Sequence, residues 1–199
     1  MKKIAFGFSL ILLCGFGIKR VAMTPVWRLM LTSELIVSGK VISQDTATVV
    51  IEIQEQISNG GKINYKPKER IKINQTIYSK NPRYRVRSAA IENNTKAIFF
   101  LKSDANSSNF NYSDRFSGIL YLNNNQKIQY YNGIDYENFA TVKEFTDAFL
   151  YLKKHYTIDS IGMVKNSIVK KNGFKKHKIG NYCKSLIFEI EREKSNYRR

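Results

Sequence analysis

The sequence is poor in the residues that do chemistry. It has two histidines and two cysteines in 199 residues. A protein metal site takes three or four converging His, Cys, Asp or Glu ligands. His155 and His177 stand far apart, and neither keeps ligand-spaced company. A nucleophilic triad needs a base held beside a Ser or Cys; His155 could in principle serve, but its place at a helix end gives it a simpler use. Asp135 and Glu137 form a carboxylate pair in a loop, where they read as solvated turn residues. The "NGGK" at 59–62 lacks the spacing of a phosphate loop and the helix that should follow it. The sequence calls for no cofactor and no metal. Cys14 and Cys183 cannot build a disulfide framework; Cys183, in the mixed segment "NYCKSLIFEI", reads as a buried, inert thiol.

Long apolar runs are also missing. The longest stretches from Ile4 to Ile18 behind Lys2 and Lys3, shorter than the roughly 20 residues a membrane helix needs. A positive start and a short apolar core form the pattern of a secretory signal peptide, here assigned to residues 1–23. Cleavage is expected between Gly15 and Met23. Cys14 invites comparison with a bacterial lipoprotein box, but Leu13 is bulky where a small residue belongs. Cleavage without lipid, lipidation at Cys14 and an uncleaved anchor therefore all stay open. Each exports the rest of the chain, an uncleaved anchor doing so in its usual orientation. The expected location is periplasmic, membrane-associated or secreted.

Acidic charge is scarce as well: 16 Asp and Glu face 33 Lys and Arg, a formal net charge of +17. Such an excess attracts phosphate polymers, anionic lipid heads and acidic glycans. AT-rich codons would produce the same wealth of Lys, Asn and Ile without selection for a polyanion.

What the chain does have is alternation. In "SELIVSGKVISQDTATVVIEIQEQI", Leu35 to Ile42 reads as a first strand, with Gly39 a bulge or a close approach. Thr46 to Ile57 reads as a second, sending Ala47, Val49, Ile51 and Ile53 one way and Thr48, Glu52 and Gln54 the other. "SNGG" at 58–61 is a turn. Residues 62–66 and 69–74 read as a third strand broken near Pro67, and 75–96 as a long loop. "AIFFLKS" (97–103) is apolar enough for a central strand. A polar loop, "SDANSSNFNYSD", follows, and then a hairpin from "GILYL" and "KIQYY". Before the first strand, "TPVWRLMLTSEL" reads as a short helix with Thr24 as N-cap and Pro25 in the first helical position.

The strongest local signal is "TVKEFTDAFLYLKKHY" (141–156). Thr141 and Glu144 have capping-box spacing, and Val142, Phe145, Phe149, Leu152 and Tyr156 form one apolar stripe. Lys153, Lys154 and His155 suit the negative end of the helix dipole. From residue 157 onward eleven Lys and Arg face four acids, so 157–199 is a basic C-terminal extension that keeps apolar patches able to pack. The fold expected is mainly β (α+β), with a short N-terminal helix and a C-terminal helix packed on the strands of 24–156.

This order of elements resembles exported bacterial domains of the netrin and tissue-inhibitor-of-metalloproteinase type. The resemblance rests on Leu35-Ile36-Val37-Ser38-Gly39-Lys40-Val41, Val49-Val50-Ile51-Glu52-Ile53 and Ile98-Phe99-Phe100-Leu101-Lys102, and covers roughly 24–132. It implies an OB-like five-stranded barrel over 24–156, with the short N-terminal helix and the C-terminal helix packed on it. The inhibitory chemistry does not carry over, because that needs a free N-terminal cysteine and several disulfides. A Cys14 exposed by lipoprotein processing would be acylated.

One constellation points to binding. Between 62 and 87 lie Lys62, Lys66, Lys68, Arg70, Lys72, Lys80, Arg83, Arg85 and Arg87 against Glu69 alone, with Tyr65, Tyr78 and Tyr84 interleaved. Cations among aromatics suit phosphates and stacked bases on an OB surface, and equally sugars or acidic lipids. Export argues against nucleic acid. A plainer role is a charged strand edge that blocks aggregation. The candidate anion-binding residues are Lys66, Lys68, Arg70, Lys72, Arg83, Arg85 and Arg87. The reading is an exported, non-catalytic binding module of the cell envelope, partnered by an anionic polymer or lipid surface. Its alternatives are an envelope adaptor or immunity-type protein that binds a protein partner, and an unrecognised enzyme. Replacing Arg83, Arg85 and Arg87 together by Ser is expected to leave folding intact and weaken polyanion binding; unchanged binding in a sedimentation assay removes that segment from the site.

Overall fold

Alternating burial in the first two strands fixes how the chain closes. In the computed structural model, which describes residues 24–60, 64–75, 91–114, 118–129, 140–159, 164–165 and 180–196, helix α1 (Val26–Thr32) leads into β1 (Leu35–Gln44) and β2 (Thr48–Ser58). Then come β3 (Arg70–Asn74), β4 (Lys96–Ser103), β5 (Phe110–Tyr112), β6 (Ile119–Leu122) and β7 (Ile128–Gln129). Helix α2 (Val142–His155), the short pair β8 (Thr157–Ile158) and β9 (Val164–Lys165), and helix α3 (Asn181–Asn196) complete the order. The proposed leader at 1–23, with Cys14, lies outside the described residues.

The main sheet runs β1-β2-β3-β5-β4, and β1 pairs with β4 to close it. The result is an OB-like five-stranded barrel, mainly antiparallel with β3 and β5 parallel at Ile73–Phe110. Strands β6 and β7 continue outward from β4. Inside the barrel pack Val37, Val41, Val49, Ile51, Ile53, Ile71, Ile73, Ala97, Phe99, Leu101 and Phe110, all buried. A second core lies outside the wall. Ile36, Ile98 and Phe100 face the other way and meet all three helices through Trp27, Phe145, Phe149, Leu152, Leu186 and Ile187. Strand β4 is thus buried on both faces, which is why "AIFFL" is a continuous apolar run.

Gly39 is both of the things its position suggested. The β1–β2 register shifts between Ser38 and Gly39, and a Cβ on Gly39 would lie 2.9 Å from the Glu52 carbonyl oxygen. Gly60 takes φ +54°, and a Cβ there would meet the Glu34 carbonyl oxygen at 2.7 Å. Helix α2 carries the complete capping box: the Glu144 N–H donates to the Thr141 hydroxyl and the Thr141 N–H to the Glu144 carboxylate.

Three expectations need correction. Thr24 does not cap α1. Pro25, at ψ 145°, is the last non-helical residue, and its carbonyl accepts from Arg28 at 3.0 Å and Leu29 at 3.2 Å. The Thr24 hydroxyl instead donates to Asp114 Oδ2 at 2.5 Å. Residues 64–66 are not strand: Pro67 disfavours continuation, and the Tyr65 N–H donates to the Gln56 side chain rather than to a ladder. The polar loop after β4 contains a strand, because Phe110 supplies an apolar side chain that the barrel buries. Of the expected long loop at 75–96, residues 76–90 lie outside the described residues; Ile91 is buried in the barrel and Lys96 already belongs to β4.

In the basic C-terminal extension, 181–196 is a helix of the same body. Tyr182, Cys183, Leu186, Ile187 and Ile190 turn one stripe into the second core, and Arg28 of α1 pairs with Glu193. Phe145 is fully buried, with its ring edge-on to Phe100 at 5.8 Å. Phe145→Ala is expected to cost about 3–5 kcal/mol in chemical denaturation; a loss below about 1 kcal/mol would mean the helical layer is not packed as described.

Candidate anion-binding face

The candidate face starts at the turn that feeds β3. Lys68 sits at φ +73°, and its N–H donates to the Ile53 carbonyl at 2.7 Å while the Ile53 N–H donates to the Glu69 carbonyl at 2.9 Å. These bonds pin the turn onto β2. Strand β3 then alternates, sending Ile71 and Ile73 into the barrel and leaving Arg70 and Lys72 exposed on its outer side. Lys66 and Lys68 are exposed in the turn. The structure therefore brings Lys66, Lys68, Arg70 and Lys72 together on one stretch of surface. Arg83, Arg85 and Arg87 lie outside the described residues, as do Lys62, Lys80, Tyr78 and Tyr84.

Compensation of these cations is slight. Arg70 Nε stands 4.0 Å from Glu52 Oε2, an exposed pair of little energetic weight. Lys72 lies near Asp45, whose carboxylate closes the β1–β2 turn. It accepts from the Ala47 and Thr48 N–H groups at 2.7 Å each and from the Thr48 hydroxyl at 3.0 Å. Those bonds hold Asp45 below the usual carboxylate range, with Lys72 the weakest contributor. Tyr65 is half-buried against the edge of Phe110, with ring centroids 6.2 Å apart, so much of its ring is committed to the barrel mouth.

Two further cations join from strands distant in sequence. Strand pairing places Lys40 opposite both Glu52 and Lys96, and Glu52 opposite Arg70. Directly opposed residues share a face, so Lys96, Lys40, Glu52 and Arg70 form one row across β4, β1, β2 and β3. Nothing in the sequence around Lys40 or Lys96 marks them; only the closing register does.

Of the residues weighed for catalysis, His155 and Cys183 belong to the helices. The His155 ring stacks on Tyr151 with centroids 4.4 Å apart at the end of α2. Cys183 is buried in the helical layer, and burial pushes its thiol up to about 12, so it stays protonated. Asp135, Glu137 and His177 lie outside the described residues. Among the described residues no cluster of His, Cys, Asp or Glu is arranged to hold a metal ion, and no helix is long and apolar enough to cross a membrane. No family model matches this chain, and no curated protein matches it.

Asp45 also sets an acid limit. A carboxylate whose folded pKa is depressed contributes stability above its unfolded pKa and loses it as pH falls through the folded value. Asp104, held low first by the Ser107 hydroxyl and the Asn106 N–H, behaves alike. Stability is therefore expected to decline below the ordinary carboxylate pKa of about 4, and a variant with Asp45→Asn and Asp104→Asn should show a shallower decline in urea melts run across that range.

Proposed function

We propose that this chain is an exported, non-catalytic binding module of the cell envelope that holds an anionic polymer against the turn before β3 and the outer side of that strand. The observation that carries the reading is the continuity of Lys66, Lys68, Arg70 and Lys72, all exposed, against Glu69 within the segment, a 4.0 Å contact to Glu52 and the weak influence of Asp45 on Lys72. Ammonium and guanidinium groups on a rigid strand bind phosphate, sulfate and carboxylate groups without transforming them. The apolar leader pattern at 1–23 supports export.

A second reading, an envelope adaptor or immunity-type protein docking a protein partner, is favoured by Leu150 and Phe188. These large apolar side chains of α2 and α3 are 57% and 69% exposed.

Substituting Lys66, Lys68, Arg70 and Lys72 together by Ser tests the first reading. The side chains point into solvent, so folding stability should stay within about 0.5 kcal/mol of the parent. Binding to an anionic polymer such as heparin should weaken about tenfold, equivalent to about 1.4 kcal/mol, and should fall steeply with salt in the parent. Equal binding by both proteins, or binding indifferent to salt, refutes it. A stoichiometric protein partner recovered from envelope extracts would support the second reading.

A further inference from the structure

The lysine pair at the end of the β1–β4 seam has no explanation in the fold. On the outer side of this seam the paired rows are Ile36 with Phe100, Ser38 with Ile98, and Lys40 with Lys96. The first two rows are buried beneath the helical layer. The third puts two half-buried ammonium groups directly opposite each other, an arrangement that destabilises a sheet. Among the described residues neither lysine side chain makes an ion pair or hydrogen bond. The one carboxylate in the row, Glu52, also neighbours Arg70. Protection of a sheet edge does not account for Lys40, because β1 is paired on both sides at that residue.

We infer that Lys40 and Lys96 form an oxyanion site that takes one phosphate group of a linear phosphate-bearing polymer, with Arg70 meeting a second group farther along. The inference rests on the proposed function and names its subsite. An oxyanion between the two ammonium groups turns their repulsion into two charge-assisted contacts. The distance from Lys96 to Arg70 is three strand spacings, roughly 14 Å, longer than a single small ion. Glu52, between Lys40 and Arg70, disfavours a charge midway and so sets the spacing of groups that fit. The strongly exposed large apolar residues, Leu150 and Phe188, belong to the helices and not to this row, which favours a hydrophilic polymer over a bilayer.

The experiment measures binding of short-chain inorganic polyphosphate to the full-length protein, at fixed ionic strength, for the parent, K40Q/K96Q, K40R/K96R, E52Q and the Ser substitution of Lys66, Lys68, Arg70 and Lys72. The expected result is about tenfold weaker binding by K40Q/K96Q, near-parent binding by K40R/K96R and tighter binding by E52Q. The melting temperature of K40Q/K96Q at low salt should be no lower than the parent's, since a like-charge pair is removed. Parent-like binding by K40Q/K96Q together with loss in the four-residue variant overturns this site and leaves the β3 face standing. Loss in K40Q/K96Q with no effect of the four-residue variant overturns the β3 face and the part given to Arg70, and leaves the lysine pair alone as the site. A parent that ignores polyphosphate but binds phosphatidylglycerol vesicles overturns the choice of a polymer.

Discussion

The pairing of β1 with β4 is the constraint on which the rest of the molecule depends. Six consecutive partners, from Leu35–Leu101 to Lys40–Lys96, close the barrel. Because a strand has two faces, the same seam supplies both cores: Val37 and Phe99 turn inward, while Ile36, Ile98 and Phe100 turn outward beneath the helices. A slip of β1 by one residue would exchange its two sets and bring Lys40 to the inside. Register here is therefore specified from both sides, which a strand with one solvated face does not achieve. Gly39 belongs to the same constraint, since the close approach of Glu52 at the bulge lets β1 bend from β2 toward β4.

The helical layer follows from that wall. Its outer surface is apolar only as far as Ser38–Ile98, and α1, α2 and α3 cover that part. Ser38 is the single polar side chain among the buried residues described, where the apolar wall gives way to Lys40 and Lys96. Three elements far apart in the chain share the task of covering. Trp27, Phe145 and Ile187, one from each helix, are all fully buried in a single shared cluster, so the layer packs as one body rather than as a set of independent attachments.

Where local chemistry decides structure, the sequence is legible. The alternation of Val49, Ile51 and Ile53, the Thr141–Glu144 capping box and the double-sided apolar run at 97–101 each need only their own neighbours to be read. The elements missed depend on distant partners. Phe110 makes a strand of a Ser- and Asn-rich loop because β3 and β4 stand ready to pair with it. The stripe Tyr182, Cys183, Leu186, Ile187 and Ile190 does have helical spacing, but the basic residues of the extension mask it when composition is read first. At the first helix Thr24 has the right chemistry for a cap and the wrong partner, because Asp114 lies within its reach and Pro25 ends the extended segment. The candidate site divides likewise. Lys66 to Lys72 is a run in sequence, whereas Lys40 and Lys96 become neighbours only through barrel closure.

Charge on a closed barrel also has a different meaning from charge on an open sheet. Lysines and arginines on an exposed edge are expected, because they stop one sheet from adding to another. Here β5 reaches β3 only at Ile73, so that argument retains force for Arg70 and Lys72. It has none for Lys40, which stands between two partner strands. Long lysine stems can lie along apolar wall while their heads seek water, and this accounts for half-burial but not for placing two such heads in the same row. The buried wall stops one row short of the end of the seam. That it ends in two cations facing each other is the feature a solvated-surface account leaves over and an anion in the row removes.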